Sequence, residues 1–469
     1  MQRVKYITDI YRVRNAPSSF NLVKFEQDTN SSHYGMKDLK RTFARSINYS
    51  YKTGKAANLL LVGPPGVGKT TLTTTIAKSI DLPYAKVSCN GINDPNDLKG
   101  VPAHVHAGCC GRIAKALSNT GLRAFIILDE LDKINAHTEQ GYGVVSSLLD
   151  LLDMKQYTDT YLGITIDCSE VIFVATANDI TRIPPELLDR FEVVQLEGYS
   201  KSEKKEIFIN NILPALLKEA NIDNTDISFS EKAIDYMIDN YTETAGVREL
   251  KVNAKKVISD VLLEHAEYCI DEEDIINLLG KPAIERGNRP SENLPGIVNG
   301  LSVNSYSGLG NLFAIETIHN GENKVTGLVK DSLAESVEIA RAVAGNINVA
   351  CLNNHYFTHF AEGAVPKDGP SAGVATTLSI LSCEYGIPIP SDYAFTGEID
   401  LLGNVWAVGG IKQKVEAACE RGCSKVFIPL QNYIQMQDEL SVYQNIDIIP
   451  ISNVVEISNK LFTHATNKK

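Results

Sequence analysis

The sequence lacks the marks of a membrane or secreted protein. No run of eighteen apolar residues occurs in its 469 residues, whereas a membrane-spanning helix needs about 20 of them. Residues 1–14 mix Lys, Asp, Arg and Tyr and contain no apolar core of a secretory signal. We therefore expect a cytoplasmic protein that does not insert into a membrane.

The cysteines give little support for disulfide or metal chemistry. The nine cysteines include no C-x-x-C pair, and an odd number does not complete a disulfide framework. Most lie in apolar stretches, as Cys351 and Cys383 do, which favours reduced and buried thiols. Cys419 and Cys423 give only a weak indication of a metal site.

An excess of positive charge is missing as well, because 45 Lys and Arg face 57 Asp and Glu and the net charge is −12. This balance disfavours a surface built to hold nucleic acid, although a basic stripe inside a pore would hardly change the sum. DNA binding is thus possible but unsupported. The chain has no internal repeat, and its length suits two or three domains.

Short apolar runs alternate with helical patterns in the N-terminal part of the chain. Residues 58–62, 124–128 and 171–175 are apolar enough for buried strands, and residues 70–80 have helical spacing. Strands that helices cover on both faces show this pattern. The sequence therefore predicts a parallel α/β sheet.

The remainder of the chain changes character twice. Charged and apolar residues at helical spacing predict a small helical lid after residue 200. Four Pro or Gly residues then predict a linker, and β-rich segments mixed with two helical patterns predict an α+β domain. The predicted parts are a short N-terminal segment (1–32), an α/β nucleotide-binding domain (33–199), the lid (200–280), the linker (281–295) and the C-terminal domain (296–469).

A complete phosphate-loop pattern, GPPGVGKT, lies between the first strand and the following helix. Backbone N–H groups of such a loop cradle phosphate oxygens, Lys69 adds a positive charge, and the Thr70 hydroxyl can reach Mg²⁺. A glycine turn with a purely structural role would not require Lys and Thr together. The predicted ATP contacts here are Gly63, Pro64, Pro65, Gly66, Val67, Gly68, Lys69, Thr70 and Thr71.

Two carboxylates, Asp129 and Glu130, end the second apolar strand. The first is suited to hold Mg²⁺ together with Thr70, and the second to activate the attacking water. Such a pair is common by itself, but the phosphate loop upstream makes a nucleotide-hydrolysing site the favoured interpretation.

These motifs resemble those of the AAA+ ATPases. The resemblance implies that Asn178 is a polar sensor, Arg190 an arginine finger offered to a neighbouring subunit, and Arg248 a second sensor on the lid. His33 and Tyr34 resemble a segment that contacts adenine. Because the finger acts on the adjacent protomer, the family implies a closed ring, usually of six subunits.

A second kind of chemistry is indicated by PKDGPSAG at 366–373, which precedes an apolar helical run. Small residues around Ser371 would let a substrate carbonyl approach, and N–H groups of the turn could hold an oxyanion. A serine needs an activating base. His359 is one candidate, and the segment GGIKQKVEAA offers lysine instead.

Helical spacing decides which of the two lysines in this segment, Lys412 or Lys414, is the candidate. Ile411, Val415 and Ala418 form an apolar stripe, and Lys414 lies on it. A lysine held against an apolar face has a lowered pKa and can act as a neutral base. The residues expected to point away from this stripe are Lys412, Gln413 and Glu416.

Both segments resemble the signature of Lon proteases, and the resemblance runs from about His33 to Phe462. It implies an AAA+ module with its lid, followed by an α+β serine peptidase domain with Ser371 as nucleophile and Lys414 as general base. It further implies that Thr396 orients the lysine, Asp368 tunes access to the serine, and His359 is accessory. The implied activity is ATP-dependent degradation of unfolded or damaged proteins.

The chain departs from this family in two places. Bacterial and mitochondrial Lon proteins carry a large N-terminal substrate-recruiting region, whereas only some thirty residues precede the motor here. The loop expected to pull substrate presents Val105 and His106 instead of an aromatic and an aliphatic residue. We therefore expect substrate choice to rest elsewhere, and unfolded or small proteins to be the preferred substrates.

Two other readings stay open from the sequence. One is a DNA-repair ATPase with a Lon-like C-terminal domain, which the AAA+ order of Asp129, Asn178 and Arg248 disfavours. The other is an unfoldase or chaperone with an idle peptidase chamber. The presence of both Ser371 and Lys414 disfavours it without proving turnover.

Overall fold

The computed structural model describes residues 2–12, 17, 19–106, 108–134, 139–222, 226–242, 244–263, 267–281, 290, 292–304, 309–361 and 369–462. The chain forms two units that interleave along the sequence. The first comprises Met1–Gly198, Glu203–Ser230 and Thr244–Ile270, and the second comprises Tyr199–Ser202, Glu231–Glu243 and Asp271–Lys469. Most of the predicted linker lies outside the described residues.

The first unit is built on a five-stranded sheet of order β2-β3-β6-β1-β7, in which all neighbours are parallel. Every residue of β3 and β6 is buried, because helices cover both faces of the sheet. The predicted parallel α/β sheet is thus confirmed. The strands up to residue 195 are β1 (Asn58–Val62), β2 (Tyr84–Ser88), β3 (Phe125–Asp129), the hairpin of β4 (Gln156–Asp159) and β5 (Ile164–Asp167), β6 (Ile172–Ala177) and β7 (Glu192–Gln195).

Helices surround this sheet, and those on one of its faces share an apolar core with it. The core joins Leu60, Leu128 and Phe173 of the strands to Leu117 and Leu148 of the helices. The helices are α1 (Gln2–Ile10), α2 (Leu22–Ser32), α3 (Lys37–Thr53), α4 (Lys69–Ser79), α5 (Pro95–Lys99), α6 (Arg112–Thr120), α7 (Glu139–Asp153) and α8 (Pro185–Leu188).

The segment predicted as a helical lid is indeed mainly helical, with two additions. A π-helical turn, Phe208–Ile212, interrupts the first helix, and two short parallel strands, β8 (Ile227–Phe229) and β9 (Tyr268–Ile270), pair with each other. The helices are α9 (Lys201–Ile207), α10 (Leu213–Glu219), α11 (Glu231–Tyr241), α12 (Arg248–Val261) and α13 (Glu272–Leu279).

The second unit is built on a mixed seven-stranded sheet of order β12-β13-β11-β10-β14-β17-β18. The strands are β10 (Ile297–Val303), β11 (Gly310–Asn320), β12 (Lys324–Thr326), β13 (His355–Phe360), β14 (Tyr393–Phe395), the hairpin of β15 (Glu398–Ile399) and β16 (Val405–Trp406), β17 (Lys425–Pro429) and β18 (Asp447–Ile451). The helices are α14 (Asp331–Ile347), α15 (Ala350–Asn353), α16 (Gly373–Tyr385), α17 (Ile411–Glu420), α18 (Leu430–Gln435), α19 (Gln437–Leu440) and α20 (Val454–Leu461).

Both faces of the mixed sheet are covered. Along β17, Phe427 belongs to the core formed with α14 and α16. Its neighbours Val426 and Ile428 belong to a separate core formed with α17. This alternation is the two-residue period of a strand. The helix that follows Ser371 and the helix that carries Lys414 therefore pack on opposite faces of one sheet.

All nine cysteines are free, and Cys109 and Cys269 are exposed rather than buried. Cys423 is buried and Cys419 half-buried, and the described ranges contain no group of three side chains placed to hold a metal ion. No helix within the described ranges is long and apolar enough to cross a membrane.

Candidate nucleotide-binding and proteolytic sites

The phosphate loop connects β1 to α4, and its glycines are required by its backbone. Gly66 and Gly68 have φ of 81° and 93°, a left-handed region that side chains rarely enter. Gly68 precedes the first residue of α4, Lys69. The loop therefore ends on the N-terminus of a helix, where N–H groups face an anion.

Lys69 is held inside this loop. Its Nζ donates to the carbonyl oxygens of Gly63 (2.6 Å) and Pro64 (2.8 Å), and to Oδ1 of Asn178 (2.8 Å). Burial lowers the pKa of Lys69 to about 8, although the charges of Asp132 and nearby carboxylates oppose the shift. The predicted sensor therefore contacts the phosphate-loop lysine directly.

Asp129 is the centre of a hydrogen-bond network. Its Oδ1 accepts from the hydroxyls of Thr70 (2.8 Å) and Thr176 (2.6 Å), and its Oδ2 forms an ion pair with Lys86. Burial would raise its pKa, but the bonds from Lys86, Thr176 and Thr70 together lower it. Sequence reasoning missed Lys86 and Thr176. Thr176 lies two residues before the predicted sensor Asn178, so its position at the end of the strand was a usable signal.

Glu130 adopts a strained backbone conformation. Its φ of 59° and ψ of 50° are left-handed, which costs a residue with a side chain about 1–3 kcal/mol. The bond from its N–H to Thr176 Oγ1 (3.1 Å) helps to fix the turn. Strain of this kind concentrates at functional sites, where the surrounding structure holds it.

The lid reaches the phosphate loop through a glycine contact. The N–H of Val247 donates to the carbonyl of Gly66 (3.1 Å). A side chain at Gly246 would place its Cβ 2.0 Å from the carbonyl carbon of Gly66, so only glycine permits this approach. Arg248 follows at the start of α12 and is thereby positioned beside the loop.

These groups line one cleft of about 420 Å³ within the first unit. The structure thus brings together the phosphate loop, the acidic pair, the predicted sensor Asn178 and Arg248, which are scattered along the sequence. Lys251 was not predicted. The lining residues are Pro65, Gly66, Gly68, Lys69, Thr70, Thr71, Asp129, Glu130, Thr176, Ala177, Asn178, Ile212, Val247, Arg248 and Lys251.

His33, Tyr34 and Arg190 are placed differently from one another. His33 Nε2 lies 3.0 Å from Thr71 Oγ1, and burial with the charge of Lys40 lowers the His33 pKa to about 4. Tyr34 is 40% exposed and is not among the lining residues of the cleft. Arg190 also lies outside the lining and forms an ion pair with Asp153 of the same chain.

The predicted pulling loop is anchored at its base. Val105 is 45% exposed, and the loop closes where the Val101 N–H donates to the Cys109 carbonyl (2.9 Å). Fully buried Asp159 of the β4–β5 hairpin accepts from the N–H of Gly111 (2.8 Å) and of Leu162 (2.8 Å). The exposed residues of the loop therefore stand on a fixed base.

Ser371 lies in a tight turn, Pro370–Ala372, directly before α16. Two serines of α14 hold this turn: Ser336 Oγ donates to the Pro370 carbonyl (3.1 Å), and Ser332 Oγ accepts from the Gly369 N–H (2.9 Å). Sequence reasoning missed both, since nothing local marks them. The turn is thus fixed by a neighbouring helix before any substrate binds.

Thr396 connects the serine turn to the lysine. It directly follows β14 and is fully buried. Its Oγ1 donates to the Ser371 carbonyl (3.4 Å) and accepts from Lys414 Nζ (3.1 Å). The Gly397 N–H donates to the same Ser371 carbonyl (2.9 Å). Ser371 and Lys414, which have 42 residues between them in the sequence, are therefore joined through one hydroxyl.

Lys414 is 3% exposed, and burial lowers its pKa to about 8. Within the described residues its amine has the Thr396 hydroxyl as hydrogen-bond partner and no carboxylate as ion-pair partner. A substantial neutral fraction near pH 8 makes it a competent general base.

The prediction that Gln413 and Glu416 point away from the core is wrong. They are 4% and 9% exposed, and Lys412 alone of the three is half-buried. The reason is that α17 is covered on more than one side. The Glu416 carboxylate accepts from the N–H of Lys201 (2.9 Å) and of Ser202 (2.8 Å).

Of the remaining predicted peptidase residues, His359 is the one that lies within the described part of the chain. His359 lies on β13, where its Nδ1 is 2.8 Å from Thr326 Oγ1. Asp368 lies outside the described residues.

Three consecutive stretches of the chain each match a known protein family. Residues 59–199 match the ATPase family associated with various cellular activities (AAA). Residues 218–273 match the Lon protease AAA+ ATPase lid domain, and residues 269–464 match the Lon protease (S16) C-terminal proteolytic domain. The two Lon matches together cover more than half of the chain.

Similar proteins extend the match along almost the whole chain. A Lon protease of Finegoldia magna is 34% identical over 98% of this chain and 61% of its own length. Lon proteases of Malacoplasma penetrans and Methanosphaera stadtmanae are 32% and 33% identical over 94% of this chain, and over 59% and 55% of their own lengths. The chain thus spans less than two thirds of these relatives. With its nucleotide-binding, lid and proteolytic domains in that order, it belongs to the Lon protease family.

Proposed function

We propose that this chain is an ATP-dependent serine endopeptidase that degrades unfolded or damaged proteins. The observation that carries the proposal is the presence, in one chain, of the cleft around Lys69 and the Ser371, Thr396 and Lys414 arrangement. A protein that only binds a nucleotide needs the first site but not the second, and a structural protein needs neither.

In the motor, ATP binds with its phosphates against the loop N–H groups and Lys69. The oxygen donors of Thr70 and Asp129, 2.8 Å apart, fit the preference of Mg²⁺ for hard oxygen ligands. When bound, Mg²⁺ neutralises charge on the phosphates. Glu130 activates the attacking water. The Lys69 ammonium donates hydrogen bonds both to Asn178 and to the terminal phosphate.

Further residues complete the motor in a ring. Arg248, on the lid, faces the bound phosphates from beside Gly66, and His33 contributes to the nucleotide pocket through Thr71. Arg190 acts on the nucleotide of the neighbouring subunit, for which it must exchange its bond to Asp153. We propose a homo-oligomeric ring, most simply a hexamer, working in the cytoplasm.

In the peptidase, neutral Lys414 accepts the proton of the Ser371 hydroxyl as Oγ attacks the scissile carbonyl carbon. Thr396 orients the amine by accepting one of its N–H groups, which leaves the lone pair for the serine. N–H groups at the start of α16 stabilise the oxyanion. The C–N bond breaks, Lys414 protonates the departing amine, and water then hydrolyses the acyl ester by the same base. Asp368 and His359 have supporting roles.

The function is tested by degradation of casein with and without Mg-ATP. Glu130→Gln is expected to lower ATP turnover by at least about 10²-fold, because the general base is lost, and to abolish casein degradation. Exposed Glu186→Gln in the same unit is the matched control and should leave both rates unchanged. Vigorous ATP turnover by the wild type without any cleavage would instead favour an unfoldase.

The pulling loop makes a prediction about substrate folding. Because Val105 offers a smaller grip than an aromatic side chain, we expect casein to be degraded many times faster than a stably folded tagged protein. Val105→Phe should raise degradation of the folded substrate several-fold and leave the casein rate nearly unchanged. Equal wild-type rates on both substrates would contradict this account of the loop.

A further inference from the structure

The catalytic helix α17 makes a second set of buried contacts, opposite in chemistry to those of Lys414. The Glu416 carboxylate binds the N–H groups of Lys201 (2.9 Å) and Ser202 (2.8 Å), at the start of α9. A carboxylate that accepts backbone N–H bonds at a helix start is stabilised both by the bonds and by the helix dipole. Glu416 is 9% exposed, so loss of these partners would leave a buried charge unsatisfied.

Lys201 strengthens the same contact. Its Nζ lies 2.7 Å from Asp239 Oδ2 and 3.3 Å from Oε1 of Glu420, which is one turn after Glu416 on α17. Burial would lower the pKa of Lys201, but the carboxylates of Asp239 and Glu420 raise it, so the side chain stays charged. Glu416 and Glu420, which lie one helical turn apart on α17, thus bind the consecutive residues Lys201 and Ser202.

The segment that Glu416 and Glu420 bind interrupts the first unit along the sequence. Residues Tyr199–Ser202 belong to the second unit, whereas Gly198 before them and Glu203 after them belong to the first. Upstream, β7 pairs with β1, which leads into the phosphate loop. Downstream, α9 continues into the π-helical turn, whose last residue Ile212 lines the nucleotide cleft. π-Helical turns that interrupt an α-helix are frequently found at functional sites.

We infer that Glu416 is a positioning residue that transmits the nucleotide state from Lys201 and Ser202 to Lys414. This inference rests on the proposed function. Glu416 and Lys414 lie on one helix two residues apart, so a displacement of the 201–202 segment moves the lysine as well. The 3.1 Å bond between Lys414 and Thr396 depends on the position of α17, which carries the lysine. Nucleotide binding that holds 201–202 in place therefore holds the base in its working position.

The test uses the full chain and a short fluorogenic peptide that needs no unfolding. Rates of ATP hydrolysis and of peptide cleavage are measured without nucleotide and with Mg-ATP. Glu416→Gln removes the charge but keeps the shape, and Lys201→Met removes the ion pairs. We expect both variants to keep ATP turnover and nucleotide-free peptide cleavage within about twofold, while the stimulation of cleavage by Mg-ATP falls about tenfold. Exposed Glu439→Gln in the same domain should behave as the wild type.

The outcomes separate the two proposals. A wild type that cleaves neither the peptide nor casein, with or without Mg-ATP, would refute the proposed function itself, whereas peptide cleavage that Mg-ATP does not stimulate would overturn the inference alone. Undiminished stimulation in Glu416→Gln and Lys201→Met would overturn the inference and leave the function standing. An equal fall in nucleotide-free and stimulated cleavage, with a lower melting temperature, would also overturn it by making Glu416 merely structural. Recovery of stimulation in Glu416→Asp, which retains the charge, would support transmission through the carboxylate.

Discussion

Substitution of Ser371 with alanine is expected to abolish peptide and protein cleavage while ATP hydrolysis continues. The substitution removes the oxygen that we propose as nucleophile, and loss of a nucleophile lowers kcat by at least about 10³-fold in serine peptidases. The turn around Ser371 is held by Ser332, Ser336 and Gly397 through its backbone rather than through its hydroxyl. The fold should therefore survive, and kcat for a short peptide is the measurement.

A matched control for this variant is Ser441→Ala, which changes an exposed serine of the same domain whose hydroxyl donates to the Asp438 carbonyl one turn away. It should leave cleavage and ATP turnover at wild-type rates. Cleavage by Ser371→Ala above a few per cent of the wild-type rate would identify another nucleophile. A fall in ATP turnover would show that the two sites depend on each other through Ser371.

How much the sequence predicts depends on how local each feature is. The phosphate loop is contiguous, and its glycines and Lys69 act through their own backbone, so pattern and structure agree. The buried strands were predictable because helices cover both faces and the runs stay apolar. The order of the mixed sheet was not, since it pairs β10 with β14 across about ninety residues that leave no local trace.

The arrangement of Ser371, Thr396 and Lys414 shows more clearly what local sequence patterns cannot predict. Helical spacing correctly placed Lys414 on the buried stripe of α17. It could not show that Thr396 lies between Ser371 and Lys414, because that contact depends on where β14 ends. The use of helical spacing also assumed that α17 has a single buried face, and for that reason Glu416 was wrongly predicted to be exposed. A charged side chain can be buried when backbone N–H groups satisfy it, as those of Lys201 and Ser202 do here.

Replacement of Lys414 with methionine should likewise abolish cleavage, and the wild-type pH profile should identify the base. The neutral amine is the active form, and the Lys414 pKa is about 8, below its ordinary value because of burial. We therefore expect kcat/KM for a short peptide to rise about tenfold per pH unit below pH 8 and to level off above it. The range from pH 6 to 9 includes the Lys414 pKa of about 8, so a kcat/KM that does not change across this range would exclude Lys414 as the base.

The same burial predicts that Lys414→Met stabilises the peptidase domain. A lysine whose folded-state pKa is lowered from 10.5 to about 8 destabilises the fold below pH 8, and this penalty is relieved as pH rises from 8 towards 10.5. Methionine avoids it, so its free energy of unfolding at pH 7 should exceed that of the wild type by on the order of 2 kcal/mol. The single tryptophan, Trp406, lies in this domain and reports its unfolding by fluorescence. An advantage of the variant that persists undiminished at pH 10 would show that packing, and not the buried charge, sets the difference.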